Sequence, residues 1–482
     1  MIEHVIDLYP GAEDFLFIVN EDHLRAWPVE AIVRRKVPRA RIVAIPPHKL
    51  GPVPTVLAAV DEVPDDEEVV VSYCDFGMVW DFAVFRAAVR RLHADGAIPC
   101  YRGFHPHSLG STLYAYVRER DGWLEEIREK GHFTPNRMDE FASAGVYYFR
   151  TGALVKRFFA ETVRRDVRVN NEYYVSVVYN LMHEAGLRTL VWEVERFLQW
   201  GTPEDLGDYA YWSTRMRGAR SSTRAPVDPD TVNVMLLAGR GQRFVDASYR
   251  EPKPSIPVAG VPMVARAAAA LPPARLWRFV CLADAVAGVP RSALAAAGIT
   301  DPEIVVLPAV TEGQAHSALA GIEGLAPDTP VLIAACDFGA RWDAAAWTRL
   351  RADPAVDVIA WTFRGHPTAR TRPRALGWMH VDGDRVVRVS VKEPISDRPL
   401  GDHAITGTFW FRRADTLRAV VEAMTAAGRR VNGEFYLDEA LNVYVERGLD
   451  VRVFEVEAYF GWGTPDDLRT FEYWQRHFGD PA

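Results

Sequence analysis

The chain is poor in cysteine and in long apolar segments. It has four cysteines in 482 residues, none spaced C-x-x-C, which predicts no disulfide framework. No apolar run reaches the roughly 20 residues of a bilayer-spanning helix. The first residues, MIEHVIDLYPGAEDF, carry acids and lack both a basic region and a cleavage pattern. We therefore expect no membrane segment, no signal peptide and a cytoplasmic protein.

An excess of positive charge is also missing. The formal net charge is -8, which argues against a nucleic-acid partner. Hydrophobic content of 49% and charged content of 25% are those of an ordinary soluble globular protein.

What the chain does contain is a long internal repeat. Adding 262 to a residue number carries Cys74-Asp75-Phe76-Gly77 onto Cys336-Asp337-Phe338-Gly339, and Trp200-Gly201-Thr202-Pro203 onto Trp462-Gly463-Thr464-Pro465. Solenoid repeats are far shorter, about 20–50 residues, so this period predicts two copies of a globular domain. Residues 214–230 are polar and rich in Ser, Pro and Arg, as linkers are. We predict domains at 1–218 and 231–482, with a linker at 219–230.

The first copy is incomplete. Met1 corresponds to Met263, so the first copy has no counterpart of residues 231–262. One expectation is a degenerate domain with a damaged sheet edge, kept for assembly or regulation. The other is that the biological start lies roughly 30–40 residues upstream, which would restore the missing strand.

Short apolar runs alternate with helical patterns in each copy. In the second copy NVMLLA, PVLIAAC and DVIAWTF are typical of buried strands, and PMVARAAAAL and QAHSALAGI of helices. This alternation predicts two tandem three-layer α/β/α domains, Rossmann-like, with mainly parallel sheets. Ligands on such sheets bind beyond the carboxyl ends of the strands.

A glycine-rich loop follows the first strand of the second copy. Gly239 and Gly241 allow the backbone to approach a phosphate closely, and Arg243 and Lys253 supply positive charge. A tight turn with a surface arginine is the plain alternative. The glycine spacing fits neither the Walker A loop nor the dinucleotide fingerprint.

The order LAGxGxRF, PKP, apolar strand and GxPM resembles the sugar-phosphate nucleotidyltransferases, over 231–482 directly and over 1–218 through the repeat. The loop FVDASYREPKP looks most like the branch found among bacterial capsule-biosynthesis proteins. The resemblance implies a nucleotide-diphospho-sugar transferase fold. It also implies transfer from an NTP (CTP, UTP or dTTP) to a phosphorylated acceptor, with release of pyrophosphate and use of Mg²⁺.

The resemblance also implies roles for residues on the nucleotide side. Arg243 and Lys253 would act on the triphosphate, and Asp337, at the end of a buried strand, would bind Mg²⁺. The remaining nucleotide contacts would be Leu237, Ala238, Gly239, Gly241 and Gln314. Plain alternatives are a turn cap for Asp337 and a polar helix start for Gln314.

On the acceptor side, Lys392-Glu393-Pro394 resembles the family's Glu-Lys-Pro element with the order altered. Lys392 would hold the acceptor phosphate and Glu393 a hydroxyl, unless the two form an exposed salt bridge. Glu434 would contact the acceptor and Gly407 would bring the backbone close to it. Asn432 is a candidate helix N-cap.

One position departs from the family. Gly461 stands where a second metal-binding Asp is common, so either Glu455 or Glu457 substitutes or the triphosphate carries the metal. In the first copy Asp75, Lys130 and Glu172 match Asp337, Lys392 and Glu434, but Pro52 matches Gln314 and Ser176 matches Asp438. Without the loop, the first copy should not turn over a triphosphate.

Two other functions stay open. A glycosyltransferase of the related fold would usually show a DxD motif, which Asp337-Phe338-Gly339 is not. A non-catalytic nucleotide-sugar sensor or scaffold would bind NTP without turnover. Homo-oligomerisation also stays open.

Overall fold

The computed structural model describes residues 1–111, 113–218 and 225–479. The chain divides into two compact units, Met1–Tyr209 and Ala210–Ala482. The sequence-based boundary at 218 lies nine residues later, because a helix spans Pro203–Arg217 and includes the first part of the expected linker stretch 214–230. From Ala210 onward this helix belongs to the second unit, where Trp212 stacks near Phe460 and Trp474. Residues 219–224 lie outside the described part.

The first unit contains eight helices and eleven strands within the described residues. Its helices are α1 Ile2–Ile6, α2 Glu21–Ala26, α3 Val29–Lys36, α4 Pro52–Leu57, α5 Phe82–Arg91, α6 Gly152–Arg164, α7 Val175–Glu184 and α8 Pro203–Arg217, which continues past Tyr209. Its strands are β1 Leu16–Asn20, β2 Arg41–Ile45, β3 Val69–Ser72, β4 Phe76–Val79, β5 Gly96–Tyr101, β6 Ala115–Arg120, β7 Trp123–Glu129, β8 Phe141–Ser143, β9 Val146–Phe149, β10 Thr189–Glu193 and β11 Arg196–Gln199.

The second unit adds nine helices and thirteen strands in its described part. Its helices are α9 Gln242–Asp246, α10 Met263–Ala269, α11 Arg291–Ala296, α12 Gln314–Gly321, α13 Ala344–Ala352, α14 Pro367–Thr371, α15 Ala414–Ala426, α16 Leu437–Glu446 and α17 Pro465–Phe478. Its strands are β12 Asp228–Leu236, β13 Pro257–Val258, β14 Val261–Pro262, β15 Ala274–Leu282, β16 Glu303–Leu307, β17 Val331–Ala335, β18 Phe338–Arg341, β19 Val358–Phe363, β20 Gly377–Asp382, β21 Arg385–Val391, β22 His403–Phe411, β23 Val451–Glu455 and β24 Ala458–Gly461.

The central sheet of the second unit has nine strands, in the order β16-β15-β12-β17-β22-β19-β23-β21-β20. Strand β12 runs parallel to both of its neighbours, with Val232 opposite Leu276 on one side and Val331 on the other. Helix α12 packs on this strand, and a Cβ added at Gly321 would lie 2.5 Å from Val234 Cγ1. The α/β class is confirmed, but the sheet is mixed. Strand β22 is antiparallel to its neighbours, and a hairpin rather than a crossover helix joins β20 to β21.

The corresponding sheet of the first unit is divided. Strands β1 and β2 form a separate parallel pair, and the other sheet ends at β3 in the order β10-β7-β6-β8-β5-β9-β3. In the described part of the unit no strand lies between β1 and β3, although β12 holds the corresponding place in the second unit. Most pairings of the seven-stranded sheet are antiparallel, with β5–β10 the parallel exception. The expectation of a mainly parallel sheet was therefore wrong for this unit.

The two units otherwise correspond element by element at the offset of 262. The bounds of α6 and α7 plus 262 are the bounds of α15 and α16, and β7 maps in the same way onto β21. Layers form on both faces of the first unit's sheet, because Ile98 and Cys100 of β5 pack in one hydrophobic cluster and Ala97 and Tyr101 in another. Within the described residues, no helix is long and apolar enough to cross a membrane.

Candidate active site

The glycine-rich loop of the second unit leaves the carboxyl end of β12. Leu237 and Ala238 are still buried, whereas Gly239 is exposed. Gly241 has φ 62°, and a Cβ added there would lie 2.9 Å from Lys253 Cβ. Both the backbone conformation and the lack of space therefore favour glycine at this position, and the turn brings the loop onto Lys253.

Lys253 forms an ion pair with Asp337 within the site. Its Nζ lies 2.6 Å from Asp337 Oδ2, and both side chains are only partly exposed, at 20% and 25%. Burial alone would lower the pKa of Lys253, but the carboxylate of Asp337 outweighs it and the pKa is raised. Burial would raise the pKa of Asp337, but Lys253 outweighs it in turn and that pKa is lowered. The two predicted functional residues thus meet as a charged pair, although 84 positions separate them in sequence.

Arg243 lies at the exposed side of the same site, at the start of α9. Among the described residues its side chain forms no hydrogen bond or ion pair. Its charge nevertheless acts on Lys253 and Lys392, because it disfavours the protonated form of both lysines. Three cations therefore act on one region of the site, where Asp337 is paired with Lys253 and the carboxylates of Asp438 and Glu434 attract Lys392. The Arg243 side chain, which has no carboxylate partner among the described residues, leaves positive charge there for a polyanion.

Lys392 follows directly after β21 and adopts a left-handed backbone conformation with φ 62°. Its Nζ donates a hydrogen bond of 2.6 Å to the carbonyl oxygen of Ala375. Burial lowers its pKa, against the attraction of Asp438. Glu393 is exposed and lies 3.4 Å from Arg374. Glu393 therefore pairs with Arg374 at the surface, and no Lys392–Glu393 ion pair is present in the described part of the chain.

The start of α12 and the segment before α16 are joined through Phe435. The amide of Ala315 donates to the Phe435 carbonyl at 3.0 Å, and a Cβ on Gly313, which has φ 137°, would lie 2.5 Å from the same oxygen. This contact places the predicted nucleotide residue Gln314 near the predicted acceptor residue Glu434. Both side chains are exposed.

Gly407 lies in β22 with φ 92°, and a Cβ there would be 3.4 Å from Ala335 Cβ, next to the strand that ends at the predicted metal ligand. Asn432 is not an N-cap, because α16 has Tyr436 at its N-cap position. Asn432 instead adopts φ 49° in the turn that pairs Val431 with Glu434.

Neither glutamate considered as a second metal ligand joins Asp337. Glu455 forms a salt bridge with Arg364 at 2.6 Å, and Glu457 lies 3.6 Å from Arg341. A Cβ on Gly461 would lie 3.1 Å from the ring of Tyr459, so this ring takes the space that an Asp side chain would need. Across the described ranges, no group of three or more His, Cys, Asp or Glu side chains is arranged to hold a metal ion.

Sequence reasoning noted Asp438 only as a mismatch with Ser176 and gave it no role. Asp438 lies in the first turn of α16 and is 9% exposed. Burial raises its pKa to about 6, against the attraction of Lys392. An acidic residue directly after the buried Leu437 at the start of α16, four positions after Glu434, is the signal that could have identified it.

The first unit keeps part of this arrangement. Lys130 has φ 54° and donates a hydrogen bond of 2.6 Å to the Tyr174 hydroxyl, which in turn donates to Glu172. Asp75 forms no ion pair with the described residues, and burial raises its pKa. No loop corresponding to Gly239–Lys253 is present in the described part of this unit. Pro52 occupies the first position of α4, as Gln314 does in α12.

Comparison with known proteins gives one family match. Residues 234–430 match the family model of the MobA-like NTP transferase domain. No curated protein matches the chain.

Solved structures with similar folds include three nucleotide-handling enzymes. A nucleoside-diphosphate-sugar pyrophosphorylase from Vibrio cholerae is 20% identical, with a TM-score of 0.41, over 50% of this chain and 98% of its own. The inositol-1-phosphate CTP transferase from T. maritima is 16% identical, with a TM-score of 0.39, over 54% and 97%. A UDP-glucose pyrophosphorylase complexed with UDP-glucose is 14% identical, with a TM-score of 0.42, over 52% and 98%. Similarities at this level carry no functional assignment.

Proposed function

We propose that the second unit, whose residues 234–430 match the MobA-like NTP transferase domain, transfers a nucleotidyl group from an NTP to a phosphorylated small molecule. The observation that carries the proposal is the Lys253–Asp337 ion pair against the glycine-rich loop, with Arg243 and Lys392 beside it. Two lysines and an arginine act on this one region, and the Arg243 side chain has no carboxylate partner among the described residues. This arrangement suits a triphosphate and a second phosphate better than it suits a neutral substrate.

In this reaction an oxygen of the acceptor phosphate forms a bond to the α-phosphorus of the NTP. The bond between the α-phosphorus and its bridging oxygen breaks, and pyrophosphate leaves with that electron pair. The attacking phosphate is already anionic, so no side chain has to remove a proton. The protein then contributes mainly by positioning the two substrates and by neutralising their charge.

The loop amides of Gly239 and Gly241 and the guanidinium of Arg243 would bind the triphosphate. Lys392 would hold the acceptor phosphate, with Glu393, Gly407 and Glu434 around the rest of the acceptor. The remaining contacts to the nucleotide would come from Leu237, Ala238 and Gln314. When a nucleotide binds, the Lys253–Asp337 ion pair would open and the Lys253 ammonium would turn to the phosphate oxygens.

The donor set at Asp337 fits Mg²⁺ that arrives with the nucleotide. Mg²⁺ is commonly held by one or two carboxylates together with substrate phosphates and water. Asp337 offers one carboxylate just after β17, and Gly461 supplies no second one, with the Tyr459 ring 3.1 Å from a Cβ placed at that position. Asp337 would hold the ion, which when bound neutralises phosphate charge.

The first unit would be a duplicated and degenerate domain that turns over no triphosphate, consistent with its divided sheet. The product would be a nucleotide-linked precursor of a cell-surface polysaccharide or a secondary metabolite. We propose that it is made in the cytoplasm. We further propose that the second unit belongs to the branch found among bacterial capsule-biosynthesis proteins and that the protein forms homo-oligomers.

The test is a matrix of four Mg-NTPs against phosphorylated sugars, polyols and amino alcohols, with pyrophosphate release as the readout. We expect release with at least one pair, together with a nucleotide-linked product found by mass spectrometry. NTP binding without release in any pair would favour the sensor alternative. Transfer of a sugar from a nucleotide-sugar in a parallel assay would favour the glycosyltransferase.

A further inference from the structure

The two units place a carboxylate in the same region but on different elements, partly buried in the first unit and buried in the second. In the first unit Glu129, the last residue of β7, accepts a hydrogen bond of 2.6 Å from Ser176 in α7. At the equivalent positions of the second unit stand Val391, at the end of β21, and Asp438, in α16. The carboxylate therefore stands on the strand in the first unit and on the helix in the second.

The exchange involves a third position. Ala115 pairs with Glu129 in the first unit, and Gly377 pairs with Val391 in the second. A Cβ added at Gly377 would lie 2.2 Å from Asp438 Oδ2, so the carboxylate rests directly over the glycine. In the first unit Ala115 and Ser176 accompany the strand acid Glu129. In the second unit Gly377 and Val391 accompany the helix acid Asp438, so that one element supplies the acid in each unit.

The backbone of the lysine beside this carboxylate is held in the same way in both units, although the ammonium bonds to the Tyr174 hydroxyl in the first unit and to the Ala375 carbonyl in the second. Lys130 and Lys392 both follow the strand directly and both adopt a left-handed backbone conformation, with φ 54° and 62°. In the second unit the amide of Lys392 donates to the Leu376 carbonyl at 3.2 Å and its Nζ to Ala375, the two residues before Gly377. Asp438 thus lies over the chain segment that anchors the lysine.

We propose that Asp438 is a positioning residue for Lys392 and takes the place of the strand carboxylate Glu129, which directly precedes Lys130. This inference rests on the proposed function for its substrate, since Lys392 would hold the acceptor phosphate there. Asp438 fixes the ammonium at the acceptor side of the site and keeps it protonated in a buried environment. Its loss affects acceptor binding and leaves nucleotide binding unchanged.

The kinetic test compares three variants with the most active substrate pair of the matrix. Asp438→Ser should raise the KM for the acceptor about tenfold, since one interaction with a charged group is lost, and should leave the KM for NTP unchanged. Val391→Glu combined with Asp438→Ser restores the arrangement of the first unit and should bring the acceptor KM back close to wild type. Glu439→Gln, which removes a neighbouring carboxylate bonded to Asn442, is the matched control and should change neither constant.

A second measurement needs no turnover. In protein labelled with ¹³C at lysine Cε, the Lys392 signal, assigned with Lys392→Arg, gives the pKa of this lysine directly. Asp438→Ser should lower that pKa further, and the double variant should raise it again, because a nearby carboxylate favours the ammonium.

An unchanged Lys392 pKa in Asp438→Ser overturns the inference, whether or not the protein is active. If the Lys392 pKa falls in Asp438→Ser and stays low in the double variant, a carboxylate on the strand does not replace the carboxylate on the helix, and that part of the inference is wrong. If wild-type protein releases no pyrophosphate with any pair, the proposed function fails while the lysine titration still decides the role of Asp438.

Discussion

The two units of this chain share their order of elements but differ in one strand and one loop. In the second unit β12 joins β15 to β17, and its carboxyl end carries the loop that meets Lys253. In the first unit β1 pairs only with β2 and β3 only with β9, within the described residues. Lys130 and Glu172 of the first unit therefore keep their places without this strand, whereas the loop that we propose for the triphosphate has no counterpart in the described part of that unit.

Burial reflects the same difference. Strand β17 is buried at four of its five residues, whereas the equivalent β3 is only partly buried along its length. Likewise Phe279 in β15 is fully buried, and its counterpart Phe17 in β1 is only partly buried. A missing central strand therefore also weakens the packing of the strands on either side.

The largest expected contrast between the units concerns the matched aspartates. Asp337→Asn should lower pyrophosphate release about 10²–10³-fold, because the proposed metal ligand and the partner of Lys253 are lost together. Asp75→Asn, the same change at the equivalent position, should leave release within about twofold of wild type, since no triphosphate loop adjoins it. Steady-state rates of the two variants check this. Equal losses would contradict the assignment of chemistry to the second unit alone.

A stability contrast follows from the missing strand. Phe279→Ala should destabilise its unit by about 3–5 kcal/mol, as expected for a fully buried phenylalanine. Phe17→Ala should cost its unit only about 1–2 kcal/mol, because its side chain is already partly solvated. Native-state hydrogen exchange, resolved by peptides, measures each unit separately. A similar cost at both positions would mean that something covers β1 in solution.

The smallest contrast concerns the titration of the same two aspartates in nucleotide-free protein. Burial, together with Asp205, raises the pKa of Asp75, whereas Lys253 outweighs burial and lowers that of Asp337. The ionised form of Asp75 therefore destabilises the folded protein. This destabilisation grows as pH rises from the pKa of Asp75 in the unfolded chain through its higher pKa in the folded protein. Asp337 stabilises the fold above its unfolded pKa, and this contribution is lost as pH falls through the lowered folded pKa. Carboxyl ¹³C titrations should give the higher pKa for Asp75, and the reverse order would contradict the Lys253–Asp337 pair.

Much of this arrangement can be predicted from the sequence. The repeat, the α/β class and the glycine-rich loop follow from sequence patterns, and the offset of 262 matches β1 and β3 with β15 and β17. The pairing of Lys253 with Asp337 is tertiary, and only the family resemblance brought the two residues to one site.

Other features depend on packing that no local pattern encodes. The domain boundary lies at Tyr209 because Trp212 stacks on aromatic rings more than 240 residues away in sequence. Strand β22 is antiparallel, which apolar periodicity does not report. The role proposed for Asp438 is not evident from the sequence, because it depends on comparing Glu129 and Ser176 with Val391 and Asp438. That comparison has a meaning only once β21 and α16 are known to lie side by side.

The most direct test of the central claim, that the loop of the second unit carries the chemistry, is pyrophosphate release by Arg243→Ala beside Arg240→Ala. Both arginines are exposed on the same loop, but Arg240 lies near Asp284, at 3.7 Å, whereas Arg243 faces the two lysines. We predict that Arg243→Ala lowers release at least about 10²-fold, on the scale of a lost oxyanion donor, and that Arg240→Ala stays within about threefold of wild type. Release by Arg243→Ala within a few-fold of wild type would contradict the claim.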